Sequence, residues 1–278
     1  MLEPFAYPFF VRGLLAAALA GGVCGLLGVF IVLRRMAYIG HGLSHAVFGG
    51  AVVSYVLSVN FLLGASLWGF VSALLINQAT RRRRIAADAA IGVVTTASFA
   101  LGVALLSRYQ GFTRSFDAAL FGNILGVDGT DMAGIALVAA VSVLTVLAAY
   151  KLLLFATFEP QVARYYGVPT GWVDAVFSLV LAAAIVVCLR VLGVTMIAAV
   201  IVIPPVTARM LTRGFGRMMA LSTVLGAACG GVGVYASYYA DVSSGPAVVL
   251  TAAAMFVAAY VWTGRRVQRR TGGGSLPS

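Results

Sequence analysis

The chain has 278 residues, of which 62% are hydrophobic and only 10% charged, with a mean hydropathy of +1.02. A soluble domain carries about 25% charged residues, so this composition excludes a globular surface solvated by water. The net charge of +11 would suggest a nucleic-acid partner in a soluble protein, but here the basic residues sit in short clusters between apolar stretches, the pattern that sets membrane topology.

Apolar stretches of roughly 18 or more residues recur along the chain, each long enough to cross a hydrocarbon core of ~30 Å. They predict crossings near 9–33, 41–58, 62–79, 89–107, 132–154, 172–189, 193–208, 217–239 and 246–263. The fold class is therefore all-α: a polytopic transmembrane bundle of 8–9 helices. It reads as one membrane domain over residues 1–270, with a Gly/Ser-rich tail, 271–278, expected to be disordered in the cytoplasm. No basic segment precedes the first apolar run, which argues against a cleaved signal peptide.

Arg34 and Arg35 follow the first crossing, and Arg81, Arg82, Arg83 and Arg84 follow the third. Lys151 near the end of the fifth and Arg164 beyond it add charge there, Arg209, Arg213 and Arg217 follow the seventh, and Arg265, Arg266, Arg269 and Arg270 follow the ninth. Every odd loop is positive, which places the amino terminus outside and the carboxyl terminus in the cytoplasm. Asp117, Asp128, Asp131 and Asp241 then fall outside. Arg190 is the exception, because it also falls on the outer side. The neighbouring stretch 191–205 is short and interrupted by Gly193 and Pro204-Pro205. Proline removes a backbone donor, so this region reads as two crossings or as two half-helices, giving nine crossings or eight.

Gly21 with Gly25, and Gly226 with Gly230, have the small-xxx-small spacing that lets helices approach closely in lipid. Cys24, Cys188 and Cys229 each lie in an apolar stretch and read as small hydrophobes, with no spacing for a disulfide framework.

The only two histidines, His41 and His45, are four residues apart. On a helix they share a face one turn apart, and two neutral imidazoles so placed can share a metal ion. The alternative is a buried pair hydrogen-bonded to carbonyls or water. Ionisable groups at membrane depth usually mark a pathway, which favours a transport site; Gly40, Gly42 and Ser44 would leave room for an ion and a neighbouring helix. Zinc proteolysis is set aside because no Glu follows the first His. Ser44 as a serine nucleophile fares little better, since adjacent helical side chains diverge by about 100°.

After the fifth crossing, Glu159-Pro160-Gln161-Val162-Ala163-Arg164-Tyr165-Tyr166-Gly167 is too short and polar to span. Proline at its start and glycine at its end mark a small helix. It reads either as a surface connector or as a lever docking into another protein. The sequence holds no Gly-x-x-x-x-Gly-Lys-Ser/Thr loop, and Lys151 is its single lysine, so any ATPase would be a separate chain.

Several motifs occur in a telling order: Arg34-Arg35-Met36 leading into Gly40-x-x-x-Ser44-His45-Ala46, then Asp88-Ala89-Ala90-Ile91-Gly92-Val93 and Leu120-Phe121-Gly122. Glu159-Pro160-x-x-Ala163, Val202-Ile203-Pro204 and Asp241-Val242-Ser243-Ser244-Gly245-Pro246 follow. In these the chain resembles the ABC-3 family, the permeases of bacterial zinc, manganese and iron importers, over about residues 10–263. The resemblance implies a type II ABC importer-like permease of the bacterial inner membrane. It implies a transport subunit rather than an enzyme, with no permanently bound cofactor, acting as a homodimer with cytoplasmic ABC ATPases and an extracytoplasmic metal-binding protein. It also implies that 159–167 is the coupling helix, with Glu159, Pro160, Gln161, Ala163, Arg164 and Gly167 facing the ATPase, and that His41 and His45 are path ligands. The family usually has Asp where His41 stands. Two imidazoles suit Zn²⁺ better than Mn²⁺, so zinc is favoured over manganese or iron, entering at an outer mouth near Asp128 and Asp131. The rival readings are a permease for a siderophore or cobalamin, a proton-coupled secondary transporter and an intramembrane protease.

Overall fold

A computed structural model describes residues 3–81, 87–108, 122 and 124–271. Arg82, Arg83, Arg84, Asp117, Leu120, Phe121 and the tail 272–278 lie outside the described residues. Among those described, the secondary structure is helical. The α-helices are α1 (Pro8–Leu33), α2 (Tyr38–Val56), α3 (Phe61–Arg81), α4 (Ala87–Arg108), α5 (Gly129–Ala148), α6 (Tyr150–Phe158), α7 (Pro160–Tyr165), α8 (Thr170–Leu192), α9 (Ile197–Leu211), α10 (Phe215–Ala240) and α11 (Ser244–Thr271).

Seven of these, α1, α3, α4, α5, α8, α10 and α11, are long and apolar enough to cross a bilayer. The 19-residue α2 is long enough, but its two histidines and four glycines lower its hydropathy. The 15-residue α9 spans roughly 22 Å, short of a ~30 Å core. The apolar run expected at 132–154 is two helices, α5 and α6, which meet at Ala149.

Burial sorts the helices into a centre and a shell. In α1 78% of the spanning window is buried, and in α8 61%, against 22% in α5 and α11. The shell helices instead expose large apolar side chains such as Leu137, Leu144, Leu147 and Leu250, which in a membrane face lipid. α1 packs along α10, and the predicted glycine pairs make that contact. A Cβ at Gly21 would fall on the Gly226 carbonyl, and one at Gly230 on the Ala17 carbonyl. Side chains gain little by burial when the solvent is itself hydrocarbon, so close backbone approach drives this packing.

The interrupted region contains one full helix and one short one. α8 runs through Arg190 to Leu192 and stops at Gly193, whose φ of 76° suits glycine. Pro204 and Pro205 lie inside α9 without ending it. Because Pro205 has no N–H, the Ile201 carbonyl loses its helical donor. It faces Gly28 of α1, where a Cβ would not fit.

α2 is held by α3, α4, α8 and α9. Gly40 meets Ile201 of α9, Gly42 meets Ile91 and Thr95 of α4, and Gly50 meets Trp68 of α3. The space left by Gly40 and Gly42 is therefore taken by neighbouring helices.

Candidate functional site

Helical periodicity puts Tyr38, His41 and His45 on one stripe of α2, and this stripe is what the bundle leaves uncovered in the first half of the helix. Tyr38 and His41 are exposed and His45 is half-buried, while nearly every other residue from Ile39 to Val52 is buried. The two imidazole centroids are 4.4 Å apart with the rings near perpendicular. His45 also packs edge-on against Phe99 of α4, with centroids 4.8 Å apart. Its Nδ1 is buried and has no hydrogen-bond partner, although buried nitrogen normally finds one. A shared ion here would need one nitrogen of each ring at about 2.0–2.1 Å. Among the described residues no cluster of three or more His, Cys, Asp or Glu side chains accompanies them, so the pair could provide only partial coordination within one subunit.

Ser44 lies about 100° round the helix from His45 and is fully buried. Its hydroxyl hydrogen-bonds to the His41 carbonyl at 2.8 Å and to the Val194 carbonyl at 3.1 Å. The second contact joins the histidine turn to the break between α8 and α9. Its single proton is shared between two carbonyls and goes to neither imidazole, so no base activates this hydroxyl as a nucleophile.

The two aspartates expected at an outer mouth both lie at the start of α5. Asp128 is its N-cap: the carboxylate accepts from the Asp131 N–H and the Thr130 hydroxyl, each at 2.7 Å. These hydrogen bonds, the Asp131 N–H foremost, hold Asp128 below the usual carboxylate range. Asp131 pairs with Arg190 from the last turn of α8. That pairing gives the anomalous arginine a counter-charge.

At the other end of α8, Asp174 accepts from Arg34 at 2.8 Å. Arg34 also donates from Nε to the Thr157 hydroxyl at 3.1 Å and lies 5.0 Å above the Phe177 ring. Burial lowers its pKa from the arginine range, and Asp174 opposes that shift. Asp174 is thus a structural partner rather than a free acid, which weakens the proton-coupled reading. The basic pattern marked Arg34 only as a topology signal; its contacts with residues 123 and 140 positions away are tertiary and leave no local trace in the sequence.

The short helix expected at 159–167 is α7, entered through Pro160 at its first turn. It ends in a Schellman turn: Val168 N–H donates to the Ala163 carbonyl and Gly167 N–H to the Arg164 carbonyl, with Gly167 at φ 78°. Ala163 is fully buried against the bundle. Glu159, Pro160, Gln161 and Arg164 are exposed beside a strongly exposed aromatic group, Tyr165, Tyr166 and Trp172.

Comparison with known proteins agrees with this architecture. A model of the ABC 3 transport family matches residues 6–263. The chain is 34% identical to the manganese transport system membrane protein MntC of Halalkalibacterium halodurans, over 93% of this chain and 88% of that one. It is 31% identical to the chelated iron transport system membrane protein YfeD of Yersinia pestis, over 94% of this chain and 87% of that one. Its fold matches PsaBC from Streptococcus pneumoniae, solved in complex with Fab, with a TM-score of 0.82 and 31% identity over 93% of this chain and 92% of that chain. This multi-pass chain is a transport subunit rather than an enzyme, and it belongs to the ABC 3 transport family.

Proposed function

We propose that the chain is the membrane-spanning permease of an ATP-driven importer of divalent first-row metal cations, and that the cation passes the His41–His45 pair. The observation that carries this reading is a buried, unpartnered His45 Nδ1 beside a second imidazole, on the uncovered stripe of an otherwise buried helix. The cargoes of named relatives, manganese for MntC and chelated iron for YfeD, support the cargo class. Within that class the paired imidazoles favour zinc, because manganese prefers carboxylate oxygen.

His41 is open on a single subunit, so a second permease copy facing this stripe would enclose the path and double the ligand set. Incomplete coordination suits a site that must also release its ion. The energy source is a separate cytoplasmic ATPase docked on α7 and its exposed tyrosines. An extracytoplasmic metal-binding protein delivers the ion to the end of the bundle that carries Asp128 and Asp131. Asp128 has the freer carboxylate of the two, since Arg190 holds Asp131. The arginine clusters support an amino terminus outside and a carboxyl terminus in the cytoplasm of a bacterial plasma membrane.

The test is ATP-dependent uptake of radioactive zinc into vesicles containing the permease, its ATPase and its binding protein, with manganese, ferrous iron and a ferric chelate as competitors. Unlabelled zinc should compete better than any of these. Full uptake by a His41→Ala/His45→Ala permease would remove the site assignment, and competition by the chelate alone would replace the free-ion reading. Because imidazole binds metal only when neutral, uptake should also fall on acidification.

A further inference from the structure

The helix proposed to meet the ATPase is poorly supported by packing. α7 has six residues and buries only Ala163. Beneath it lies a cavity of about 260 Å³, lined by Pro160, Arg164, Thr157, Asn77, Arg34 and Asp174 among others. A short helix that packs one alanine and borders an open cleft transmits little force by van der Waals contact, which falls off steeply once surfaces separate. Directional polar links must carry the load.

Arg34 supplies two such links, one on each side of α7. Its Nε donates to Thr157, near the end of α6, and its Nη1 donates to Asp174, in the first turn and a half of α8. One rigid, planar guanidinium therefore grips both legs of the 159–169 segment, a geometry a lysine cannot reproduce. The side chain is held in place: it is only 10% exposed and stacks over Phe177.

The other side of Arg34 leads to the histidines. It caps α1, and the following turn is closed by hydrogen bonds from Arg34 N–H to the Phe30 carbonyl, Met36 N–H to the Ile31 carbonyl and Ile39 N–H to the Met36 carbonyl. Three residues separate Arg34 from Tyr38, where α2 begins. A displacement of either leg of α7 thus reaches the histidine helix through one side chain and one hydrogen-bonded turn.

We propose that Arg34 is the positioning residue that couples movement of the 159–169 segment to α2. This rests on the importer reading above. In vesicles containing the complete complex, metal uptake and ATP hydrolysis are measured together. Arg34→Gln should lower metal moved per ATP by about fivefold or more, with the half-saturating metal concentration unchanged. Arg34→Lys should recover only part of that loss. Thr157→Val, which releases one leg and is nearly isosteric, should give a smaller loss, so a misfolded Arg34 variant still leaves a decisive measurement. An unchanged ratio in Thr157→Val and in whichever Arg34 variants fold would overturn the proposal. Spin labels at position 38 provide a readout independent of cargo: ATP should shift them in the parent complex and not in Arg34→Gln. An intact label shift without any metal transport by the parent would overturn the cargo reading alone; an undiminished shift in Arg34→Gln would overturn the role of Arg34.

Discussion

α1 and α2 are consecutive helices, both rich in glycine and both largely buried, yet they use those properties differently. In α1 the glycines face main chain: Gly21 meets Gly226, Gly25 meets Ser222, and Gly28 meets Ile201. Its first half exposes Arg12, Leu15 and Leu19 on one stripe, and from Ala20 to Ile31 it is buried on every side. In α2 the glycines seat the helix against α3, α4 and α9, with Gly49 also on main chain at the Ser98 carbonyl, and the stripe left open in its first half holds both histidines of the chain. Close packing around a polar face fixes that face in position without covering it. The contrast separates residues that hold the bundle together from residues that have something left to bind.

The largest expected effect comes from breaking the α1 side. Gly21→Leu places a side chain on the Gly226 carbonyl, where backbone on both helices must move. Overpacking costs about 1–3 kcal/mol when side chains can adjust, and main chain adjusts less. No monodisperse permease should be recovered from membranes. Gly231→Leu, on the same partner helix α10 but with open space around it, should yield normal protein. If both variants behave alike, backbone contact is not what joins these helices.

On the α2 side, His41→Ala/His45→Ala should leave yield and melting temperature unchanged and reduce uptake to background. His41→Asp sharpens the comparison. It adds a hard oxygen ligand and a negative charge, so competition should move from zinc towards manganese. Equal competition profiles for the parent and His41→Asp would show that this stripe does not select the metal.

A smaller effect is expected at the ion pair between Asp131 and Arg190, whose aspartate side chain is 12% exposed. Arg190→Ala leaves a mostly buried carboxylate without its partner, which costs about 1–3 kcal/mol. Thermal unfolding in detergent should detect that loss, and Asp131→Ala/Arg190→Ala should recover much of it, since the unpaired charge is then gone.

The crossings could be read from the sequence because hydrocarbon demands uninterrupted apolar runs, and the glycine pairs because spacing alone gives a helix face. The histidine spacing was legible for the same reason. Its surroundings were not: nothing local indicates that Ile201, Ile91 and Thr95 fill the space beside Gly40 and Gly42, or that His41 is left open. The break at Ala149 was equally hidden, since no Gly or Pro lies between Ile135 and Phe158. Arg190 looked anomalous in the sequence because its counter-charge lies 59 residues away. Long-range pairing is a property of the folded bundle, and the positive-inside pattern records only average charge.

The smallest expected effect concerns Asp128, and it separates the two roles this residue could have. As an N-cap its carboxylate receives two hydrogen bonds, which lower its pKa. A group with a depressed folded pKa contributes fully above its unfolded value, about 3.9 for aspartate, and loses that contribution as pH falls through the lower folded value. Asn is as good an N-cap as Asp, so Asp128→Asn should melt like the parent at neutral pH but lack this acid-dependent component, whereas Asp128→Ala should melt slightly earlier at neutral pH, by a margin that narrows in acid. If the carboxylate also meets incoming cations, Asp128→Asn should need about twofold more metal for half-maximal uptake at low ionic strength, and added salt should erase the difference by screening an exposed charge. Identical uptake curves at low salt would leave Asp128 with the cap alone, and the entry point would have to be sought elsewhere at that end of the bundle.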